Sequence, residues 1–166
     1  MKYLFNYLLI LLGILIMGTA QAGYGSKVGQ LAGDYKEHLN GKKLYGETYR
    51  SPTTKDGVLA CARVVQIVLK KARVPGFSRA LYSVGQIQRK TRSWKKISYD
   101  EVGPGDLIFW RKAGHDEVCS GGGDCHVGIA VGNGQSFDNN GTLKRPSISG
   151  IGWRLRWRFM YAVRMR

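Results

Sequence analysis

The chain has 166 residues, a length that fits one domain, and its hydrophobic content of 43% is enough for a packed core. Its 23 glycines are scattered, which indicates many turns and excludes a low-complexity chain. The formal net charge of +15 favours a polyanionic partner, and charge alone does not choose among nucleic acid, anionic lipid and an anionic cell-wall polymer.

The N-terminus is typical of a secretory signal peptide. Met1 and Lys2 precede an apolar run over residues 3–17, and residues 18–22 (Gly-Thr-Ala-Gln-Ala) end in an Ala-x-Ala cleavage pattern. The run is shorter than the ~20 residues that span a bilayer, which disfavours the alternative of an uncleaved anchor. We therefore expect a signal peptide over residues 1–22 and a single periplasmic or secreted domain over residues 23–166. We expect no stable membrane insertion after cleavage and no nucleic-acid partner.

The next stretch predicts a central helix. Residues 23 to about 56 have weak periodicity, with a short helical piece expected over residues 36–39. Asp56 is the expected N-cap, Gly57 allows a sharp turn into the helix, and the helix should end near Ala72. Apolar residues recur at three- and four-residue spacing and predict a core-facing side, which comprises Val58, Cys61, Val65, Val68 and Leu69.

Cys61 lies at the start of this helix. A thiol there faces unpaired backbone N–H groups and the positive end of the helix dipole, which both favour the nucleophilic thiolate. The alternative is that Cys61 is a small apolar core residue, which is a common role for cysteine. This stretch alone does not decide between the two.

The second half of the chain predicts a basic amphipathic helix over residues 79–92 and then several strands. Strands are expected over residues 94–97, 125–131 and 135–138, with a hairpin turn at 132–134, and residues 102–110 predict a Pro-Gly turn that leads into an apolar strand. Residues 153–166 predict a last strand at the sheet edge. Helices followed by an antiparallel sheet make an α+β fold.

The cysteine count indicates one disulfide and one free thiol. Cys119 and Cys125 flank a flexible Ser-Gly-Gly-Gly-Asp turn, so we expect them to pair and to leave Cys61 free. Such a pair would hold the adjacent His126 in place. The alternative is a zinc site formed by His115, Cys119, Cys125 and His126, but its spacing is unlike common structural sites, and we expect no metal.

Three motifs in a fixed order suggest a family. They are Cys61 at a helix start, Pro104-Gly105-Asp106-Leu107-Ile108-Phe109, and His126-Val127-Gly128-Ile129-Ala130-Val131-Gly132-Asn133-Gly134. Together they resemble the NlpC/P60 and CHAP group of papain-like cysteine peptidases and amidases, over roughly residues 45–163. The resemblance implies a papain-like fold, with N-terminal helices packed on an antiparallel sheet, and no cofactor.

The resemblance also implies a role for each site residue. Cys61 would be the nucleophile and His126 the general base, and Asp138 matches the polar residue that orients the histidine. Asn139 or Asn140 would take that role in a shifted register, but period-two geometry places Ser136 and Asp138 on one face and favours Asp138.

Two further site features depend on the same resemblance. Tyr49, or alternatively Tyr45, matches a tyrosine that assists the oxyanion site in this group. The NlpC/P60 branch usually has Asp-Cys-Ser-Gly around its nucleophile, whereas this chain has Ala60-Cys61-Ala62-Arg63, so a CHAP-like assignment also stays open.

These features predict a secreted, monomeric cysteine hydrolase that cleaves amide or peptide bonds of peptidoglycan. One alternative is a non-catalytic basic envelope-binding protein on the same fold, and another is an acyltransferase that uses the same thiol. The basic C-terminal run with Trp153, Trp157 and Tyr161 could also form a nucleic-acid strip, but an edge strand with its aromatic side chains in the core is favoured.

Overall fold

The structure is a computed structural model that describes residues 23–34, 43–44, 46–114, 119, 124–152 and 157–165. The helices are α1 over residues 23–34, α2 (Cys61–Lys71) and α3 (Val84–Lys90), with 3-10 turns at Pro52–Gly57 and Tyr99–Glu101. The strands are β1 (Lys43–Leu44), β2 (Glu47–Thr48), β3 (Lys95–Ile97), β4 (Leu107–Lys112), β5 (Cys125–Gly132), β6 (Gln135–Asn140), β7 (Arg145–Gly150) and β8 (Trp157–Arg164). The signal peptide predicted over residues 1–22 and the helical piece predicted over residues 36–39 lie outside the described residues, as do Tyr45, His115 and Trp153.

Six of the strands form one antiparallel sheet in the order β3-β8-β4-β5-β6-β7. Helix α2 packs against β5 and β6, the two strands of the predicted hairpin. The α+β prediction of helices on an antiparallel sheet is therefore confirmed.

Alternation along the central strands separates two apolar clusters. Phe109, Val127 and Phe137 belong to the larger cluster, which includes the buried side chains of α2. Trp110 and Ala130 point to the other face and belong to a smaller cluster. His126 is four residues before Ala130 on β5, and Asp138 is two residues after Ser136, the partner of Ala130, on β6. Since side chains alternate between the faces of a strand, both lie on the face with the smaller cluster.

Helix α1 is a difference from the sequence prediction, which expected little regular structure over residues 23–56. Four of its twelve residues are glycine, which lowers intrinsic helix propensity. Glycines on both sides permit close packing of the helix on the Pro-Gly turn: a Cβ at Gly29 would lie 2.9 Å from Gly105 N, and a Cβ at Gly105 would collide with the Gly25 carbonyl. The helix is therefore stabilised by its packing on the turn and not by the intrinsic helix propensity of its residues.

The segment before α2 also differs from the prediction. Asp56 is not the N-cap: it and Lys55 adopt left-handed backbone, with φ of 51° and 46°, and the helix begins only at Cys61. Val58 precedes the helix and is 38% exposed, so its assignment to the core-facing side is wrong. The C-terminal end agrees with the prediction, since Ala72 follows the last helical residue, Lys71.

Strand β8 is also placed differently from the prediction. It lies between β3 and β4, so it is an interior strand and not an edge strand. The Tyr161 ring still packs toward the core, 5.0 Å from the Phe109 ring, while Arg158 is exposed. Within the described ranges, no helix is both long and apolar enough to cross a bilayer.

Candidate active site

Cys61 is the first residue of α2 and is partly exposed. Ala60 occupies the N-cap position and has no side chain that could accept a hydrogen bond from the first turn. The N–H groups at the helix start are therefore not consumed by a capping side chain. The backbone amides of Ala62 and Val127 lie within hydrogen-bonding reach of the Cys61 sulfur.

His126 connects this thiol to a buried carboxylate. Its Nε2 lies 3.2 Å from Oδ1 of Asp138, which is completely buried. The other ring nitrogen, Nδ1, is left for Cys61, whose thiol lies within hydrogen-bonding reach of His126. The structure thus brings together the three residues predicted as catalytic, in the order thiol, imidazole, carboxylate.

The charges of the pair are mutually stabilised. Burial alone would raise the pKa of the Cys61 thiol, but the charge of His126, its hydrogen bond and the two backbone amides lower that pKa below the usual 9.0. Burial alone would lower the pKa of His126, but the negative charges of Cys61 and Asp138 raise it from 6.5 to about 9. The arrangement favours a thiolate–imidazolium pair at neutral pH.

The register of β6 separates Asp138 from the two asparagines that follow it. Asp138 Oδ2 accepts a hydrogen bond from Ser136 Oγ at 3.1 Å, in agreement with the predicted shared face. Asn139 points to the opposite face, and its Nδ2 donates to Gly57 O at 2.8 Å. Asn140 Oδ1 accepts from the backbone amides of the turn that follows it. Neither asparagine is directed at His126.

Asn139 is a residue whose contact the sequence did not reveal. Its hydrogen bond fastens the strand that carries Asp138 to the segment just before Cys61, where Gly57 has a φ of 101°. That contact joins positions 82 residues apart in the chain, so no local pattern could indicate it. The hydrogen bond therefore holds the segment that precedes Cys61 against β6.

Tyr49 is buried in the larger apolar cluster, with only 1% of its surface exposed. Its backbone carbonyl accepts a hydrogen bond from Thr54 Oγ1 at 3.0 Å, which ties it to the turn that precedes α2. The role of Tyr49 at the oxyanion site stays a prediction.

Cys119 and Cys125 form the predicted disulfide, and Cys61 is the free cysteine. The bridge ends on the residue next to His126 and so fixes the start of β5. Two of the four candidate zinc ligands are therefore joined to each other as a disulfide. Within the described ranges, no group of three or more His, Cys, Asp or Glu residues is placed to hold a metal ion.

Two tryptophans flank His126, and the sequence did not assign them to the site. The rings of Trp110 and Trp157 have centroids 5.7 Å and 5.4 Å from the imidazole centroid. Trp110 lies directly opposite His126 in the β4–β5 register, and Trp157 comes from β8 on the far side of β4. Recognising this cluster requires the strand order, because β8 follows β5 by 24 residues in sequence but pairs with β4.

Comparison with known proteins identifies the family to which the chain belongs. The sequence profile described as the NlpC/P60 family matches residues 46–161, a range that includes Cys61, His126 and Asp138. The protein named probable endopeptidase p60 from Listeria monocytogenes is 36% identical over 120 residues, which are 71% of this chain and 20% of that protein. Its counterpart from Listeria innocua is 34% identical over 125 residues, or 74% of this chain and 22% of that protein. The chain thus spans about a fifth of the length of the curated relatives it matches.

A solved structure shows the same fold. NlpC2 from Trichomonas vaginalis matches with a TM-score of 0.53 at 15% identity, and the match covers 84% of this chain and 47% of that chain.

Proposed function

The chain belongs to the NlpC/P60 family, and from that premise we propose that it is a secreted cysteine hydrolase that cleaves amide or peptide bonds of peptidoglycan. The catalytic groups in this proposal are Cys61, His126 and Asp138. The observation that carries it is the His126 ring, which faces the Cys61 thiol with one nitrogen while Asp138 lies 3.2 Å from the other. That arrangement is the one that nucleophilic acyl transfer by a thiol requires.

In the first half of the reaction, the Cys61 thiolate attacks the carbonyl carbon of the scissile amide. The carbonyl electrons move to oxygen, and the backbone N–H groups at the start of α2 stabilise the negative charge. His126 then transfers its Nδ1 proton to the departing nitrogen as the C–N bond breaks. The amine product leaves, and the acyl group stays on the sulfur as a thioester.

In the second half, water replaces the amine. Neutral His126 takes a proton from the water through Nδ1, and the hydroxide attacks the thioester carbon. The C–S bond breaks, the acid product leaves, and the thiolate–imidazolium pair is restored. Asp138 stays ionised throughout and holds the ring in the orientation that both proton transfers need.

The substrate class is inferred from the relatives and from charge. The Listeria relatives are named probable endopeptidases, and the resemblance of the motifs implies peptidoglycan as the usual substrate of the group. The net charge of +15 suits an anionic wall polymer. The proposed signal peptide over residues 1–22 would deliver the domain to the envelope, where that polymer is found.

The decisive experiment is digestion of purified peptidoglycan sacculi by the domain over residues 23–166, beside Cys61→Ala and Cys61→Ser variants. Mass spectrometry of the soluble products identifies the bond that is cut. We expect new muropeptides from the wild type alone. A wild type without products would contradict the hydrolase, and a persistent sacculus-binding signal would then favour the envelope-binding alternative.

The same experiment separates hydrolysis from acyl transfer. In hydrolysis carried out in ¹⁸O-labelled water, one labelled oxygen enters the new carboxylate of the product. In transfer, the acyl group appears on an added amine or alcohol acceptor without that label. We expect the label in the carboxylate.

A further inference from the structure

His126 has four side chains close to its ring. Its two nitrogens face Cys61 and Asp138, and the indoles of Trp110 and Trp157 lie beside the ring at centroid distances of 5.7 Å and 5.4 Å. The interplanar angles are 47° and 42°, so each indole is tilted to the imidazole. Only 7% of the His126 surface is exposed, so little water is available to solvate a charge on this ring.

The surrounding backbone is shaped to admit these rings. A Cβ at Gly128 would lie 3.1 Å from Cζ3 of Trp110 and 2.9 Å from Cβ of Asp138. The absence of a side chain at Gly128 therefore leaves the space that the Trp110 ring and the Asp138 side chain occupy. Trp110 is held there by its Nε1, which donates to Ile151 O at 3.0 Å. The ring that flanks His126 therefore has a fixed position and a satisfied polar atom.

We propose that Trp110 and Trp157 are positioning residues that stabilise the protonated form of His126 through cation–π contacts. The proposal rests on the proposed function, since it concerns the protonation state with which His126 delivers a proton to the leaving amine. A cation that lies over the face of an indole, within about 6 Å of its centroid, is attracted by the negative potential of that face, and the attraction increases when water is excluded. The two indoles thus replace part of the hydration that burial removes from the imidazolium.

The two titration steps of the Cys61–His126 pair show in which direction the indoles shift each pKa. In the acid step, Cys61 loses its proton while His126 stays charged, so the indoles stabilise both states equally. In the alkaline step, His126 loses its own proton, and the indoles stabilise only the state before that loss. Weakening the indole contact therefore lowers the pKa of the alkaline step and leaves the acid step almost unchanged.

The charged and titratable groups that face His126 come from two elements in the described part of the chain. Cys61 faces it from α2 and Asp138 from β6, while β4 and β8 present the neutral rings of Trp110 and Trp157. A Cys61→Ala background removes the thiolate. The remaining influences on the His126 titration are then burial, Asp138 and the two indoles, which makes the contribution of the indoles measurable.

The test is an NMR titration of the His126 Cε1 proton in the Cys61→Ala protein, with the resonance assigned by its loss in His126→Gln. We expect Trp157→Leu to lower the His126 pKa by about half a unit to one unit. We expect Trp157→Phe, which keeps a weaker aromatic face, to give a value in between. The matched control is Trp94→Leu, because the Trp94 ring packs against Phe77 and the larger cluster, at a centroid distance of 6.0 Å from the Phe77 ring, and its loss should leave the His126 pKa unchanged.

A second measurement keeps the test valid if Trp157→Leu fails to fold. Biosynthetic incorporation of fluorinated tryptophan retains the shape of the indoles and weakens the negative potential of their faces. We expect the His126 pKa to fall as the number of fluorine atoms per ring increases. An unchanged pKa in folded Trp157→Leu or in the fluorinated protein would overturn the proposal and leave the two rings a packing role only.

These titrations do not require turnover. If Trp157→Leu lowers the His126 pKa but the wild type does not digest sacculi, the hydrolase proposal is contradicted and the indole proposal stands. If the wild type digests sacculi but the His126 pKa is unchanged in Trp157→Leu, only the indole proposal is contradicted.

Discussion

Asp138 and His126 form a buried pair that crosses from β6 to β5. Oδ1 of the carboxylate lies 3.2 Å from His126 Nε2, and Oδ2 accepts a hydrogen bond from Ser136. Asp138 is completely buried, so its charge is compensated by these neighbours and not by water. The geometry makes the ionised carboxylate and the protonated imidazole depend on each other.

Replacing Asp138 by Asn should separate orientation from charge. Asp138→Asn keeps the side-chain size but removes the negative charge, and its amide can hold the wrong ring tautomer. We expect kcat on a soluble stem-peptide substrate to fall by about 100- to 10,000-fold, and the His126 pKa to fall. Asn140→Ala is the control, since Asn140 binds only turn amides among the contacts described. Equal activity of Asp138→Asn and wild type would show that another group orients His126.

The pH dependence follows from the two opposed pKa shifts. The charge of His126 lowers the pKa of the Cys61 thiol from its usual value, and the charge of Cys61 raises the pKa of His126 to about 9. We expect kcat/KM to decline as pH rises through about 9, where His126 loses its proton, and again at acid pH, where the thiolate is protonated. The profile between these limits should be flat.

Alkylation of Cys61 tests the same pair without a substrate. In His126→Ala the imidazolium is gone, and burial then raises the pKa of the thiol. We expect iodoacetamide to react with Cys61 at pH 7 at least about tenfold more slowly in His126→Ala than in the wild type. Equal rates in the two proteins would mean that the thiolate does not depend on His126.

Loss of the Cys119–Cys125 disulfide should have a larger effect on the stability of the fold than on the reactivity of Cys61. Replacing both cysteines by serine removes a bridge between residues six apart, for which the loss of chain-entropy stabilisation is about 2 kcal/mol. We expect urea denaturation to show a free energy of unfolding lower by that amount. We also expect a smaller fall in kcat, because Cys125 is the residue before His126. A variant as stable as the wild type would contradict a structural role for the bridge.

Gly128 leaves space for two site residues. In Gly128→Ala, the new Cβ would lie 2.9 Å from Asp138 Cβ and 3.1 Å from Trp110, so both side chains must move. We expect a loss of about 1–3 kcal/mol in the free energy of unfolding and a lower kcat. The matched control is Gly33→Ala in α1, where nothing lies within 4 Å of the new Cβ and helix propensity improves. Thermal and urea denaturation of the two variants should therefore change in opposite directions.

The order of motifs made most of the site predictable. Cys61 at a helix start, His126 on a strand and Asp138 beyond the Asn133-Gly134 turn are local patterns, and period-two alternation selected Asp138 over Asn139. The disulfide was also predictable, since its two cysteines flank a short glycine-rich turn. Each of these predictions depends on residues that are close in sequence.

What the sequence could not indicate depends on long-range contacts. Helix α1 forms despite its glycines because Gly29 packs on Gly105, and β8 inserts between β3 and β4 instead of ending the sheet. Strand β7 was not predicted, because Arg145–Gly150 contains Pro146 and shows little apolar alternation, yet it pairs along the whole of β6. Trp157 reaches His126 only through this strand order.

The short spacing of the bridged cysteines has a consequence for oxidative folding. Three cysteines allow three pairings, and two of them would consume the Cys61 thiol. Cys61 lies nearly ten times farther from Cys119 along the chain than Cys125 does. In a flexible unfolded chain, loop closure therefore favours the Cys119–Cys125 pairing over either competitor by about thirtyfold. The short spacing of Cys119 and Cys125 thus directs oxidation to the pairing that leaves Cys61 reduced, before any part of the fold has formed.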